Sequence, residues 1–268
     1  MHDQKMIARI REGGIAQGHE QKEERDRVLR KELGFRVADQ AEYALLASCY
    51  NPFLEPGDMK AFRNLLDHFG VNYTLLQKEY CCGCLFYRQA IIDKIEEDIK
   101  GSDPLAGEFL EENLKQIRAA GAGKILFYCA GCDMVYDRFR DTVSEEVLWY
   151  PTLFAQLFEG GTLELQADYY AGCHLFRRTL NSNLPDLDSV LSILNRINGL
   201  ELNHLNPKLC CNNPKQLETL TASVKNRTII TACTGCSLYL RQALAGQGDY
   251  RVALLSEVMW AAINGHRL

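Results

Sequence analysis

The chain has 268 residues, 47% hydrophobic and 24% charged, with a net charge of -5, which suits an ordinary globular protein long enough for one large core or two small ones. The acidic balance argues against sequence-independent nucleic-acid binding, and no apolar run approaches the ~20 residues needed for a bilayer span. Residues 1–14 lack the apolar stretch of an export signal, so the expected compartment is the cytoplasm.

Residues 1–40 are charged and partly helical, and their stretch Gln21–Leu33 is a candidate for docking a partner. Glu42–Ser48 then reads as a buried strand, Asp58–Phe69 as an amphipathic helix ended by Gly70, and Val71–Gln77 as a strand. Leu85–Ile99 and Gly107–Ala120 read as two helices separated by the breaker run Gly101–Pro104. A strand at Lys124–Tyr128, another at Val147–Trp149 and a helix at Thr152–Phe158 complete the first half. The second half repeats the scheme, with strands at Leu165–Ala171, Leu200–Leu205, Arg227–Ala232 and Val252–Leu255 and a final helix at Glu257–Asn264. Strands alternating with helices predict an α/β fold of two tandem, pseudo-twofold-related Rossmann-like units with small parallel sheets. The expected bounds are 1–40 for the arm, 41–160 for the first unit and 161–268 for the second.

Eleven cysteines are the outlying feature. Cys84 apart, they form one array written twice. The first half has Cys49, then 31 residues, Cys81-Cys82, 46 residues, and Cys129-Ala-Gly-Cys132. The second has Cys173, then 36 residues, Cys210-Cys211, 21 residues, and Cys233-Thr-Gly-Cys236. An odd count and the absence of an export signal fit a disulfide framework poorly, whereas clustered thiols in a reducing compartment are metal ligands. Each group follows a predicted strand and precedes a helix. In a parallel sheet such points share one edge, where open α/β folds bind ligands. Five sulfurs per half exceed the four of a structural zinc or an ordinary cubane cluster. The pattern therefore favours a five-cysteine cluster in each half, with a cubane on four of the five, or zinc, as alternatives.

This array, with Cys81-Cys82-Gly83 as its motif, resembles the cysteine-rich CCG domain family, best known from heterodisulfide reductase. The resemblance covers residues 41–268. It implies a noncubane [4Fe-4S] cluster in each half, on Cys49, Cys81, Cys82, Cys129 and Cys132 and on Cys173, Cys210, Cys211, Cys233 and Cys236. It also implies cleavage of a small-molecule disulfide between facing clusters, with Cys81 and Cys210 as ligands at the reacting site. The second copy departs from the motif at Asn212. There the expectation is a left-handed backbone like that of glycine, which Asn tolerates next best. The chain shows no ferredoxin-type cysteine run and no flavin fingerprint, so electrons are expected from flavoprotein or ferredoxin-like iron–sulfur partner subunits. The competing function is an electron-transfer subunit serving a lactate-, glycolate- or succinate-type dehydrogenase or oxidase.

Several residues beside the array have two readings. Cys84 is a core residue or a further thiol of the site. His174 is a satisfied loop histidine or a donor to a sulfur. Arg88, Arg177 and Arg178 belong to solvated helix faces or to an anion site. Tyr80, Phe127 and Tyr128 are expected to shield the ligands from water.

Overall fold

The computed structural model describes residues 3–181, 183–266 and 268. The first half forms β1 (Tyr43–Leu46), β2 (Tyr73–Leu75), β3 (Lys124–Phe127) and β4 (Glu146–Trp149), a four-stranded sheet in the order β2-β1-β3-β4. The second forms β5 (Gly161–Tyr169), β6 (Ile197–His204), β7 (Thr228–Thr231) and β8 (Arg251–Leu254), in the matching order β6-β5-β7-β8. Every pairing is parallel, with Leu45 opposite Leu75 and Leu126, and Ala167 opposite Leu202 and Thr228. β1 and β7 are buried along their whole length. That is why β1 is a continuous apolar run and β7 sets Ile229-Ile230 between two buried threonines, with no exposed polar alternation in either. The two tandem Rossmann-like units expected from the sequence are present.

The units do not keep separate interiors. Leu45, Phe62, Tyr128, Tyr150 and Phe154 from the first half share one core with Ala167, Ile230, Ala253, Val258 and Met259 from the second. Phe62 lies at its centre, with ring centroids 4.7 Å from Tyr128, 5.6 Å from Tyr150 and 5.7 Å from Phe154. This common core turns the strand ends of both sheets toward each other.

The segment after Cys84 differs from expectation. A helix at Cys84–Asp93 ends at Lys94, in the left-handed region (φ 58°), and a single helix then runs from Glu96 to Ala119 through Gly101–Pro104. Proline inside a helix costs ~3 kcal/mol. Here one face buries Ile99, Ala106, Phe109, Leu110, Leu114 and Ile117, and each large apolar side chain contributes ~1.5–3 kcal/mol, so burial wins. Ser102 Oγ also donates to the Asp98 carbonyl at 2.8 Å, and Asp103 accepts from Arg138 at 2.6 and 2.7 Å and from Tyr87 Oη at 2.8 Å.

The N-terminal residues fold back on the first half. A helix at Gln4–Gly13, capped by Asp3, turns at Gly14 into a second helix at His19–Asp26 that continues through Arg27–Glu32. Ile7, Ile10, Ile15 and Ala16 are buried in one cluster with Cys49, Cys81, Phe86 and Phe109. The segment singled out for partner docking, Gln21–Leu33, buries Arg25, Val28 and Leu29 against its own chain.

Candidate metal centre

Each cysteine group sits on the turn that leaves a strand. Cys49 follows β1 through Ser48 (φ 82°), and Cys173 follows β5 through Gly172 (φ 91°), so the same left-handed step occurs in both halves. Cys129 and Cys233 are the N-caps of helices Ala130–Arg138 and Thr234–Leu244, which carry Cys132 and Cys236 in their first turns. Helix N-termini favour anions, so these positions suit thiolates. The glycines of the two Cys-x-Gly-Cys motifs keep the space beside the sulfurs open. A Cβ on Gly131 would stand 3.4 Å from Cys84 Sγ and 3.5 Å from Cys129 Sγ.

The two Cys-Cys turns differ. Gly83 is left-handed (φ 81°), and a Cβ there would meet Ala106 and Phe86 at 3.0 Å. Asn212 is not left-handed, contrary to expectation. Its turn is held by Gln216, whose Oε1 accepts from the Cys210 amide at 2.7 Å, and by Asn213, which caps helix Pro214–Ala222. Those contacts fix the loop without a reversed residue. Asn212 Oδ1 instead accepts from Arg88 Nη2 at 2.8 Å across the cleft.

All eleven cysteines line a single cavity of about 230 Å³ between the halves. The ten of the duplicated array are brought together, and Cys84 joins them. Among the described residues no three His, Cys, Asp or Glu side chains converge as a site for one metal ion. The sulfurs are instead spread around the cavity wall in runs of neighbours, with Cys211 and Cys236 in contact at 3.3 Å. Thr234 Oγ1 donates to Cys129 Sγ at 3.4 Å, joining the second half to the first.

Thiolate character falls at matching positions. A hydrogen bond from Cys49, reinforced by one from Cys82, holds Cys81 well below the ordinary thiol range. A bond from Cys173 and the amides of Asn212 and Asn213 bring Cys210 to about 6. Cys132, Thr234 and the amides of Cys132 and Gly131 bring Cys129 to about 6 as well, and Cys236 lowers Cys233. The first sulfur of each Cys-Cys pair and of each Cys-x-Gly-Cys is therefore the readiest ligand. Cys84 receives no such bond, and burial pushes its thiol up.

The neighbouring residues separate clearly. Arg177 is buried, bonded to Asp133 and 3.3 Å from Asp137, so it ties the second half to the first and is not a solvated face. Arg178 is exposed, whereas Arg88 lines the cavity. His174 lies 2.6 Å from the Ala171 carbonyl, and burial lowers its pKa. Tyr128 and Phe127 are fully buried behind Cys129. Residues that sequence reasoning missed are Tyr50, Leu85, Leu175 and Tyr239 on the cavity wall, Thr234 at Cys129, and the buried pair Arg25–Glu79 beside Cys81. The only signal for Thr234 was its place inside Cys233-Thr-Gly-Cys236.

Residues 43–137 and 167–219 match the cysteine-rich domain family CCG, more than half of the chain and both Cys-Cys pairs. The chain belongs to that family. Among curated relatives, a subunit of the dihydromethanophenazine:CoB–CoM heterodisulfide reductase of Methanosarcina acetivorans is 26% identical over 111 residues, 41% of this chain. The same subunit of the Methanosarcina barkeri enzyme is 25% identical over 112 residues. The matched stretch spans 25% of the length of each of these two relatives. An aspartate racemase homologue from Pyrococcus horikoshii overlays 83% of this chain and 96% of its own at 12% identity, with a TM-score of 0.32. Among the described residues, no helix of this CCG protein is long and apolar enough to cross a membrane.

Proposed function

We propose that the chain is the iron–sulfur subunit of a heterodisulfide-reductase-like oxidoreductase complex, holding two noncubane [4Fe-4S] clusters that reduce a small-molecule disulfide. The observation that carries this reading is the convergence of both five-cysteine sets on one cavity. The donor set fits such a group: it is all sulfur, with low-lying thiols in both halves and backbone amides directed at them.

In this reading Cys49, Cys81, Cys82, Cys129 and Cys132 hold one cluster, and Cys173, Cys210, Cys211, Cys233 and Cys236 the other. When bound, each cluster would supply one electron and a site for one sulfur. The overall change is R–S–S–R′ + 2e⁻ + 2H⁺ → R–SH + R′–SH, with the electrons drawn from a flavoprotein or ferredoxin-like iron–sulfur partner. The chain's own residues hold the sulfurs, and Tyr128 and Phe127 exclude water behind them. The exposed side chains Leu85, Arg88 and Leu175 line the cavity and mark its mouth, giving a disulfide an apolar approach beside the Arg88 guanidinium. That mouth favours the substrate-cleaving role over a relay, which needs no opening to a small molecule.

Protein purified without oxygen should be brown and carry about eight irons per chain with matching sulfide. Zinc without sulfide would sink the proposal. A Cys210→Ser protein that loses its second cluster yet reduces the physiological disulfide at the normal rate would leave only the relay.

A further inference from the structure

Besides their apolar contacts and the Gly14 carbonyl, the N-terminal helices bring a buried cation, Arg25, to the first cysteine set. We propose that Arg25 is a positioning residue for the first cluster, the fixed charge by which these helices make the reduction potentials of the two halves unequal. The inference rests on the iron–sulfur reading above.

Arg25 is 5% exposed. Its Nε donates to the Ser48 carbonyl at 2.9 Å, its Nη2 to Glu79 Oε2 at 2.5 Å, and its Nη1 to Asp26 at 3.2 Å. Glu79 in turn accepts from the amides of Ala47 at 3.0 Å and Ser48 at 3.1 Å. One guanidinium and one carboxylate therefore cross-tie the segment entering Cys49 to the segment entering Cys81. Ser48 needs that restraint, because it holds a left-handed conformation that a residue with a side chain rarely adopts (φ 82°). Nearby, the Cys81 amide donates to the Gly14 carbonyl at 2.6 Å. A Cβ at Gly14 would fall 2.5 Å from the Glu79 carbonyl oxygen, so the close approach requires glycine.

A fixed cation in a low-dielectric surround favours an added electron nearby, and groups behind the ligands tune cluster potential. Among the described residues the second half has no matching cross-tie between its cysteine turns, and its buried cation, Arg177, is paired with Asp133 and Asp137 of the first half. Gly172 stands at the place of Ser48, and the exposed Lys208 at the place of Glu79.

The test is an EPR-monitored redox titration of the full chain, reconstituted anaerobically with iron and sulfide. The first cluster's signal is assigned by its survival in Cys210→Ser. Arg25→Gln should move that signal to lower potential and leave the second unmoved, Arg25→Lys should stay near the parent value, and Glu79→Gln should move the same signal upward. The opposite signs at Arg25 and Glu79 separate a charge effect from loosened packing, which would shift both variants alike. If Arg25→Gln fails to load, Arg25→Lys and Glu79→Gln still decide the question. No shift in a loaded Arg25→Gln, equal shifts in Arg25→Gln and Arg25→Lys, or a downward shift in Glu79→Gln would each overturn the proposal. A parent protein without iron and sulfide would instead overturn the function proposed above.

Discussion

The two halves carry the same strands in the same order and the same five sulfurs, yet they are covered differently. In the first, all five cysteines are buried beneath the N-terminal helices and the long helix Glu96–Ala119. In the second, Cys173 and Cys233 are partly exposed, and the connection from the Cys-Cys pair to the Cys-x-Gly-Cys is 21 residues against 46. What the duplication kept is the strand ends and the ligand turns. What it let drift is the shell that governs access. The sulfurs are constrained in both copies, whereas the approach of water and electrons is constrained separately in each.

The sharpest way to break this comparison is metal removal. Under a chelator, iron should leave in two phases of equal amplitude, the faster from the more exposed second half and several-fold quicker. Cys81→Ser should keep only the fast phase and Cys210→Ser only the slow one, each with about half the parent iron. A single phase in the parent would mean that the coverings do not differ in effect.

Arg177 tests the join between the halves. Arg177→Met leaves Asp133 buried without its ion-pair partner, while Asp137 keeps Arg140 at 3.1 Å, and should cost ~3–5 kcal/mol in denaturant unfolding. The two Cys-Cys turns give a matched pair. Gly83→Ala forces a side chain into a left-handed position against Ala106 and should cost ~1–3 kcal/mol. Asn212→Ala, at an ordinary backbone angle, should stay within about 0.5 kcal/mol. Equal costs would show that the turns are alike after all. Thr234→Val removes the hydrogen bond to Cys129 and should cost ~0.5–1.5 kcal/mol in the same assay, between the two turn variants.

Much of this architecture is legible in the sequence, for local reasons. β1, β3 and β7 are short strands with apolar centres ended by a cysteine turn, and a parallel sheet places such turns on one edge. The convergence of ten sulfurs follows from that topology. What stayed hidden depends on tertiary contact. The breaker run Gly101–Pro104 is a local signal, overridden by an apolar face that spans Ile99 to Ile117. The left-handed reading of Asn212 used one residue's preference and missed the hold of Gln216 on the Cys210 amide. Arg177 read as a solvated face or an anion site, and Arg25 drew no reading within a charged stretch, because their carboxylate partners lie 44 and 54 residues away in sequence.

The common core has a consequence for how the protein comes into being. Phe62 and Tyr128 cannot be fully enclosed until Val258 and Met259 have been made and folded against the same interior. The sulfurs of one cavity come from points as distant as Cys49 and Cys236. Parallel pairing and contacts this remote in sequence put the chain among slow folders of high contact order. During synthesis the first half therefore waits, with reactive thiols unshielded, for a closing helix at the far end of the chain. On the iron–sulfur reading, cluster loading would follow this closure, and a chain cut between the halves should yield two fragments that neither bury their cores nor retain iron.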